Sequence, residues 1–139
     1  MKVAVVYWSS TGNTEAMAQA VVEGAKHAGA EAELFTAAEF DGGKMDEFDA
    51  VAFGCPAMGA EELEDGEFAP MFETCESKLS GKKIALFGSY GWGDGEWMRT
   101  WEENCRDKGA NLVCDSVICQ ETPDDEALSA CRSLGEALA

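Results

Sequence analysis

The sequence predicts an α/β fold in which a doubly wound parallel sheet is flanked by helices. Short apolar runs alternate with longer amphipathic stretches along the whole chain, which is the pattern of repeated βαβ units. Several of these runs are almost continuously apolar, as strands are when helices cover both faces of a parallel sheet. With 139 residues, of which 46% are hydrophobic, the chain is expected to form one domain over 1–139 with a substantial core.

Five strands are expected, and the first, third and fourth carry the nearly continuous apolar runs VAVVYW, AVAFG and IALFG. Right-handed crossovers between parallel strands then restrict the topology to a few doubly wound forms. The predicted strands are Lys2–Trp8, Glu31–Phe35, Ala50–Gly54, Lys83–Gly88 and Leu112–Ile118.

Four helices are predicted between and after these strands. In the first, three apolar residues recur at helical spacing, and Gly29 follows where a helix stop is expected. The second has a proline in its first turn, the third is followed by Gly109, and the last opens with acidic residues that suit the helix dipole. The expected bounds are about Asn13–Ala28, Pro70–Leu79, Gly95–Lys108 and Asp124–Leu138, and Asp41–Glu47 is expected to be a loop or one irregular turn.

The formal net charge of the chain is −17, from 27 acidic and 10 basic residues. Such a surface argues against nucleic acid as a partner and favours proteins with basic faces, and it repels other copies of the chain, so we expect a monomer. No apolar run approaches the roughly 20 residues that span a membrane. The opening MKVAVVYW is too short an apolar run for a signal peptide, so we expect a cytoplasmic protein with no membrane contact.

The six cysteines do not show the spacing of a metal site. None forms a C-x-x-C pair, and His27 is the single histidine of the chain, so no metal is expected. Most of them lie inside apolar runs, which favours buried thiols in a reducing compartment over a disulfide framework. They are Cys55, Cys75, Cys105, Cys114, Cys119 and Cys131.

Small polar residues fill the junction between the first strand and the first helix, and none of the six residues 9–14 is a cation. In a doubly wound fold, ligands bind beyond the carboxyl ends of the strands, where the strand order reverses. Hydroxyls, backbone N–H groups and the helix dipole converge at such a junction, which favours a phosphate site over an ordinary helix cap. The junction matches neither the Walker pattern G-x-x-x-x-G-K-[ST] nor G-x-G-x-x-G.

Two further loops carry side chains suited to a planar ring. In CPAMGAEELED, residues 55–65, Met58 offers a soft, polarizable contact, although it could also plug the edge of the core. In GSYGWGDGEW, residues 88–97, Trp92 stands between two glycines, which favours stacking on a ligand over a place in the core. Trp8 could belong to the core or to the site. Helical spacing assigns three more large residues to helix packing, namely Trp97, Met98 and Trp101.

In this order and spacing, SSTGNTEAMA, CPAMGAEELED and GSYGWGDGEWM resemble the three cofactor loops of short-chain flavodoxins. The resemblance covers essentially the whole chain. It implies a five-stranded flavodoxin-like sheet in the order 2-1-3-4-5 and a non-covalently bound flavin mononucleotide (FMN). It also implies an electron-transfer protein rather than an enzyme: a low-potential carrier that shuttles one electron between redox enzymes, mainly between the semiquinone and hydroquinone of FMN.

The resemblance assigns roles within these loops. The first loop would hold the phosphate, Met58 and Trp92 would cover the inner and outer faces of the flavin, and Glu61 would accept a hydrogen bond from flavin N3. The Gly59–Ala60 peptide would flip on reduction so that the Gly59 carbonyl meets N5; relatives often carry a polar residue at the position of Ala60. The implied cofactor-binding residues are Ser9, Ser10, Thr11, Gly12, Asn13, Thr14, Pro56, Ala57, Met58, Gly59, Ala60, Glu61, Ser89, Tyr90, Gly91, Trp92 and Gly93.

The absence of lysine and arginine from the first loop predicts a strongly reducing cofactor. A phosphate held without a cation keeps its charge, and reduction of the flavin adds a further negative charge nearby. Two phosphate charges at about 9 Å and an effective dielectric of about 20 would lower the potential by roughly 160 mV.

Acidic residues surround the same edge of the predicted sheet, and we expect them to dock the basic faces of redox partners. We call this set the acidic rim. Its members are Glu61, Glu62, Glu64, Asp65, Glu67, Asp94, Glu96, Asp124 and Asp125.

Other functions compete with this interpretation. An FMN-dependent oxidoreductase of the quinone-reductase type needs room beside the flavin, where Trp92 is expected, and an activator dedicated to one partner enzyme would share the same loops. A phosphate-accepting signalling domain needs clustered carboxylates and a lysine at the strand ends, and a phosphatase of this topology needs Cys-x5-Arg after the first strand. The first loop has neither arrangement.

Overall fold

The computed structural model describes residues 1–58, 62–91 and 93–139, which form a parallel sheet between two layers of helices. The strands are β1 (Lys2–Tyr7), β2 (Glu31–Thr36), β3 (Ala50–Gly54), β4 (Lys83–Tyr90), β5 (Asn111–Leu112) and β6 (Val117–Gln120). The α-helices are α1 (Asn13–His27), α2 (Phe68–Cys75), α3 (Glu96–Asp107) and α4 (Asp125–Leu138). Short 3-10 helices span Ala37–Glu39, Gly42–Glu47 and Glu76–Lys78.

The strand order is β2-β1-β3-β4-β5 with all pairs parallel, which confirms the expected topology. The chain therefore winds one way from β1 to β2 and the other way from β3 to β4, so the order reverses between β1 and β3. The register places Tyr7 opposite Gly54, and Gly54 opposite Phe87. The loops that follow β1 and β3 therefore leave the same edge of the sheet, at the reversal point where ligands bind in such folds.

The fifth strand position is divided between two segments, which corrects the single expected strand Leu112–Ile118. β5 pairs with the start of β4, and β6 pairs with its end, from Val117 to Gln120. Between them the backbone leaves the sheet, and the Ser116 hydroxyl donates to Glu102 Oε2 at 2.8 Å. Aspartate and serine at 115 and 116 favour such local bonding over a strand.

The core lies on both faces of the sheet, as the apolar runs predict. Every residue of β3 is buried, and so is all of β1 after Lys2. On the α2 and α3 side the core is aromatic, with Phe53 packed edge-on against Phe72 at a centroid distance of 5.0 Å. The predicted helix-packing role of Trp97 and Trp101 is confirmed, since they are 2% and 3% exposed.

Helix termini differ from the expected bounds where side chains bond to the backbone. α2 begins at Phe68, two residues before the expected Pro70. The reason is that the Glu64 carboxylate accepts hydrogen bonds from the N–H groups at the start of the helix. The expected loop or turn at Asp41–Glu47 is a 3-10 helix, and Asp41 Oδ1 accepts from the Gly43 N–H at 2.9 Å. Gly29, with φ +94°, follows α1 as a helix stop should.

Helices α1 and α4 pack backbone to backbone through two glycines. A Cβ at Gly24 would overlap the carbonyl oxygen of Arg132, and a Cβ at Gly135 would overlap the carbonyl oxygen of Val21. Both glycines lie inside helices, where glycine is ordinarily unfavourable by about 0.5–1 kcal/mol relative to alanine. The close approach of the two helices therefore accounts for glycine at these positions.

We expect Gly24→Ala and Gly135→Ala each to lower the free energy of unfolding by about 1–3 kcal/mol, since the obstacle is backbone and cannot rotate away. This cost outweighs the helix-propensity gain of alanine. Urea unfolding followed by circular dichroism measures it, with the exposed Ser133→Ala in α4 as a control that should stay within about 0.5 kcal/mol of the parent. Stabilisation by either glycine variant would contradict the packing described.

Candidate cofactor site

Residues from four loops line one cavity of about 230 Å³ at the carboxyl edge of the sheet. The sequence predicts that the loops after β1, β3 and β4 meet, and the cavity brings them together. A fourth contribution comes from the residue that follows β6. The lining residues are Ser10, Thr11, Asn13, Pro56, Ala57, Met58, Ser89, Tyr90, Gly91 and Glu121. None of them is a cation.

The first loop presents the start of α1 with no side chain on its N-cap residue. That residue is Gly12, at φ +93°, and the Asn13 N–H makes only a long hydrogen bond to Thr11 Oγ1, at 3.5 Å. The Ser9 hydroxyl instead accepts from the Gly12 N–H at 3.1 Å and so shapes the loop itself. An uncapped helix terminus beside hydroxyls suits an anion better than an ordinary cap would.

A buried hydrogen bond fastens the first loop to β4. The Thr14 and Ser89 hydroxyl oxygens lie 2.9 Å apart, and the two residues are 1% and 5% exposed. The structure thus places the Thr14 side chain against Ser89, behind the cavity wall. Losing one partner of a buried hydrogen bond is costly, so this contact fixes the start of α1 relative to the strand.

Two predicted residues of the first loop, Ser9 and Gly12, border a neighbouring cavity of about 390 Å³ rather than the one above. Trp8, half-buried, lies there and donates from Nε1 to Glu67 Oε1 at 3.1 Å. Tyr7 donates its hydroxyl to Glu15 Oε2 at 2.8 Å. Burial, together with that hydrogen bond, raises the pKa of Tyr7 to about 12, so its hydroxyl stays protonated.

The loop after β3 is held by backbone pairing on both sides of Met58. Met58 exchanges two backbone hydrogen bonds with Glu62, at 2.8 and 2.9 Å, and the Ala57 N–H donates to the Ser89 carbonyl at 3.0 Å. Met58 is half-buried and lines the cavity wall. The expected positions Gly59, Ala60, Glu61 and Trp92 lie outside the described residues, and Gly93 does not line the cavity.

Glu121 is a site residue that the sequence predictions missed. It has φ +59°, and among the described residues it is the one non-glycine with a positive φ. Its N–H donates to the Tyr90 carbonyl at 2.7 Å, and Gln120 Nε2 donates to the Gly91 carbonyl at 3.3 Å. The available signal was position, since a carboxylate directly after the last strand must emerge at the same edge as the other loops.

Comparison of the sequence and the fold with known proteins assigns the chain to a family. A sequence model of the flavodoxin family matches residues 5–135. The chain belongs to the flavodoxin family. It is 46% identical to the flavodoxin of Megasphaera elsdenii over 99% of this chain and 98% of that one, and 43% identical to the flavodoxin of Clostridium beijerinckii over 97% of each.

Solved structures agree with the sequence matches. A solution structure of two-electron reduced Megasphaera elsdenii flavodoxin has a TM-score of 0.89 at 46% identity and covers 98% of this chain and 97% of its own. A flavodoxin from the domain Archaea has a TM-score of 0.87 at 30% identity, with 100% and 96% covered. Flavodoxins bind FMN and transfer electrons without being enzymes, which confirms the cofactor and the electron-transfer role and sets aside the oxidoreductase alternative.

The residues present fit FMN. An uncapped α1 terminus with the hydroxyls of Ser10 and Thr11 can bind a phosphate, and Met58 and Tyr90 give apolar area for a ring on the same cavity. When bound, FMN supplies the redox chemistry, and the chain supplies its binding and its electrostatic surroundings.

The six cysteines are free thiols, of which four are buried and two half-buried. Burial raises the pKa of Cys55, Cys105 and Cys131 to about 12, so these thiols stay protonated. The interpretation of most cysteines as buried thiols is confirmed. In the described ranges, no three His, Cys, Asp or Glu side chains are arranged to hold a metal, and no helix is long and apolar enough to cross a membrane.

The prediction that Glu64, a member of the acidic rim, docks a redox partner is wrong. It is only 9% exposed, and its carboxylate accepts from three backbone N–H groups that open α2, those of Gly66, Glu67 and Phe68, at 2.7, 2.7 and 2.8 Å. Burial alone would raise the pKa of Glu64, but these donors outweigh it and leave the pKa below its ordinary value. Glu64 is therefore a helix cap.

Other members of the rim also have structural contacts while remaining exposed. Asp124 Oδ1 accepts from the Ala127 N–H at 2.9 Å and caps α4, and Asp94 pairs with Arg99 at 3.1 Å. Sequence position alone does not separate such carboxylates from those free to meet a partner.

We expect Glu64→Gln to lower the free energy of unfolding by about 1–2 kcal/mol at neutral pH, because an amide NH₂ would replace one acceptor facing these N–H groups. Since folding lowers the pKa of Glu64, its contribution is complete above the ordinary glutamate pKa and is lost as pH falls through the folded value. The difference between parent and variant in urea unfolding should therefore shrink in acid. The exposed Glu73→Gln on α2 is the control, and a pH-independent difference would contradict the account.

Proposed function

We propose that the protein is a single-domain, low-potential carrier of one electron, which cycles mainly between the semiquinone and hydroquinone of FMN. The observation that supports this most directly is the charge of the cavity: of the residues described, Glu121 lines it and no lysine or arginine does. An electron added to the flavin then meets negative charge without local compensation, in surroundings less polar than water. Six free thiols support a reducing compartment such as the cytoplasm.

The proposed cofactor contacts follow from the loop positions. Ser10, Thr11 and Asn13 line the cavity beside the α1 terminus and would hold the phosphate, with the Gly12 and Ser9 backbone next to them. Thr14 would act through Ser89 by fixing the helix start. Met58 and Tyr90 would contact the flavin ring. The remaining proposed contacts are Pro56, Ala57, Gly59, Ala60, Glu61, Gly91, Trp92 and Gly93, as the family resemblance implies.

The Thr11→Lys variant tests the charge argument. A cation on the cavity wall would offset part of the phosphate charge, so the potential of the second reduction step should rise by on the order of tens of millivolts. Anaerobic potentiometry of the FMN-loaded protein measures this. Ser133→Lys adds the same charge beside His27, at the far end of α1, and should leave the potential nearly unchanged because salt screens it. An unchanged potential in Thr11→Lys would overturn the proposal.

We propose that the carrier meets its redox partners as a monomer, through basic faces on those partners. The net charge of −17 supports attraction to cationic surfaces and repulsion between copies. Encounters of this kind are brief and bury little area, so charge chiefly sets how fast they form. An activator dedicated to one enzyme would have the same cofactor site and would differ in accepting a single partner.

Electron transfer to a basic haem protein should slow as salt is added. Between ionic strengths of about 0.01 and 0.15 M the Debye length falls from roughly 30 to 8 Å, and we expect the bimolecular rate to drop about tenfold. Stopped-flow mixing of the reduced protein with this acceptor measures the rate. With an acidic haem protein of similar potential, the rate should rise with salt instead. Electron-transfer rates that do not change with ionic strength would contradict electrostatic docking.

A further inference from the structure

A second groove lies beside the cofactor cavity, between the segment 62–69 and α3. It encloses about 540 Å³. Half-buried Leu63 and Ala69 form its apolar walls, and its floor is the edges of Trp97 and Trp101, which are almost completely buried. Among the described residues, its exposed edge carries four carboxylates and no lysine or arginine. We call it the tryptophan groove, and its carboxylates are Glu62, Asp65, Glu103 and Asp107.

The four carboxylates are available to an incoming cation. All four are exposed, and the ion pairs among the described residues involve other acids. Only Glu62 and Asp65 belong to the acidic rim expected from the sequence, and the other two lie on α3. An apolar surface beside uncompensated negative charge is complementary to an occupant that is apolar on one side and cationic at its flanks.

The length of α3 along the groove would accommodate a helical occupant. Thr100, Glu103, Asn104 and Asp107 line the groove at the i, i+3, i+4 and i+7 positions of one helix face. That face extends for about 10 Å, or two turns. Amphipathic helices bind such grooves through anchors of the same spacing. A second copy of this chain is disfavoured, since each copy carries a charge of −17.

Contacts connect the groove to the cofactor cavity. Trp97 lines the groove, donates from Nε1 to the Cys55 carbonyl at 3.2 Å, and lies 5.5 Å from the Tyr90 ring by centroids. Tyr90 lines the cofactor cavity. Glu62, at the groove edge, pairs by backbone with Met58 on the cavity wall. An occupant of the groove would therefore lie one aromatic pair away from the flavin, where short electron-transfer distances are possible.

We propose that the tryptophan groove binds a basic amphipathic helix of a redox partner, with apolar side chains against Leu63, Ala69 and the exposed edges of the two tryptophans, and lysine or arginine at the four carboxylates. The statement that the partner is a redox protein rests on the proposed function. The binding of a helix of this chemistry does not.

The experiment uses the FMN-loaded protein and a synthetic helical peptide of leucine, lysine and alanine, with leucines on one face and lysines flanking them. Binding is followed by titration calorimetry and by the NMR shifts of the Trp97 and Trp101 indole N–H groups. A peptide of the same composition with its apolar face scrambled is the first control. We expect the indole signals to shift with the amphipathic peptide only.

Two variants locate the binding. Replacing the four groove acids by amides (E62Q, D65N, E103Q and D107N together) should weaken peptide binding about tenfold. A matched variant, E31Q, E33Q, E47Q and E73Q together, removes the same charge from exposed sites elsewhere and should weaken it less than twofold. Thr100→Phe fills the groove without altering charge and should also weaken binding about tenfold.

Several results would overturn the groove assignment: no peptide binding, equal losses in both four-site variants, or equal binding of an uncharged leucine–alanine peptide. Concentration-dependent dimerisation that Thr100→Phe abolishes would assign the groove to a second copy instead. The potentials and FMN content of all variants are measured in parallel. If the potentials and FMN content match those of the parent while the groove substitutions leave peptide binding unchanged, the groove proposal is wrong and the carrier function is unaffected. If the parent protein fails to transfer electrons to any acceptor, the carrier function is wrong instead.

Discussion

The site depends on the level register of the parallel strands at the centre of the sheet. Because Tyr7, Gly54 and Phe87 lie side by side, β1 and β3 end at one edge, and β4 runs a little beyond them. No single loop makes a site here: the first offers hydroxyls and a helix terminus, the second a thioether, and the third a phenol ring. A shift of one strand by one residue would move each of its side chains to the opposite face of the sheet and would separate these groups.

The electrostatics follow from the same edge. In a parallel sheet, the helix that follows each strand begins at the carboxyl edge, so the helix N-termini lie where the loops emerge. Their dipoles and free N–H groups favour the binding of an anion there. Among the described residues, no cation lines the cavity there, and a carboxylate, that of Glu121, lies on its wall. In the proposed site, binding and redox tuning would thereby be separated: backbone dipoles and hydroxyls would hold the phosphate, while full charges would determine how readily an electron is accepted.

Much of the fold can be predicted from the sequence, because strands that are buried on both faces are almost continuously apolar. β1, β3 and β4 and the meeting of their loops follow from that. The division of the fifth strand does not, since Ser116 leaves the sheet for a bond to Glu102, which is remote in sequence. Glu64 shows the same limit: a glutamate before a helix can be a cap or a free surface charge, and only the folded backbone decides. Glu121 is missed because it follows β6, which runs on to Gln120 beside the end of β4, whereas the apolar run that predicts the fifth strand stops at Ile118.

The bond between Tyr7 and Glu15 has a consequence for selectivity. Glu15 occupies the first turn of α1, where a carboxylate benefits from the helix dipole yet could compete with an anionic guest for the same N–H groups. A phenol that remains protonated across the working pH range holds this carboxylate over the neighbouring cavity. In the proposed cofactor site, this hydrogen bond would keep the Glu15 carboxylate away from the N–H groups that would hold the phosphate.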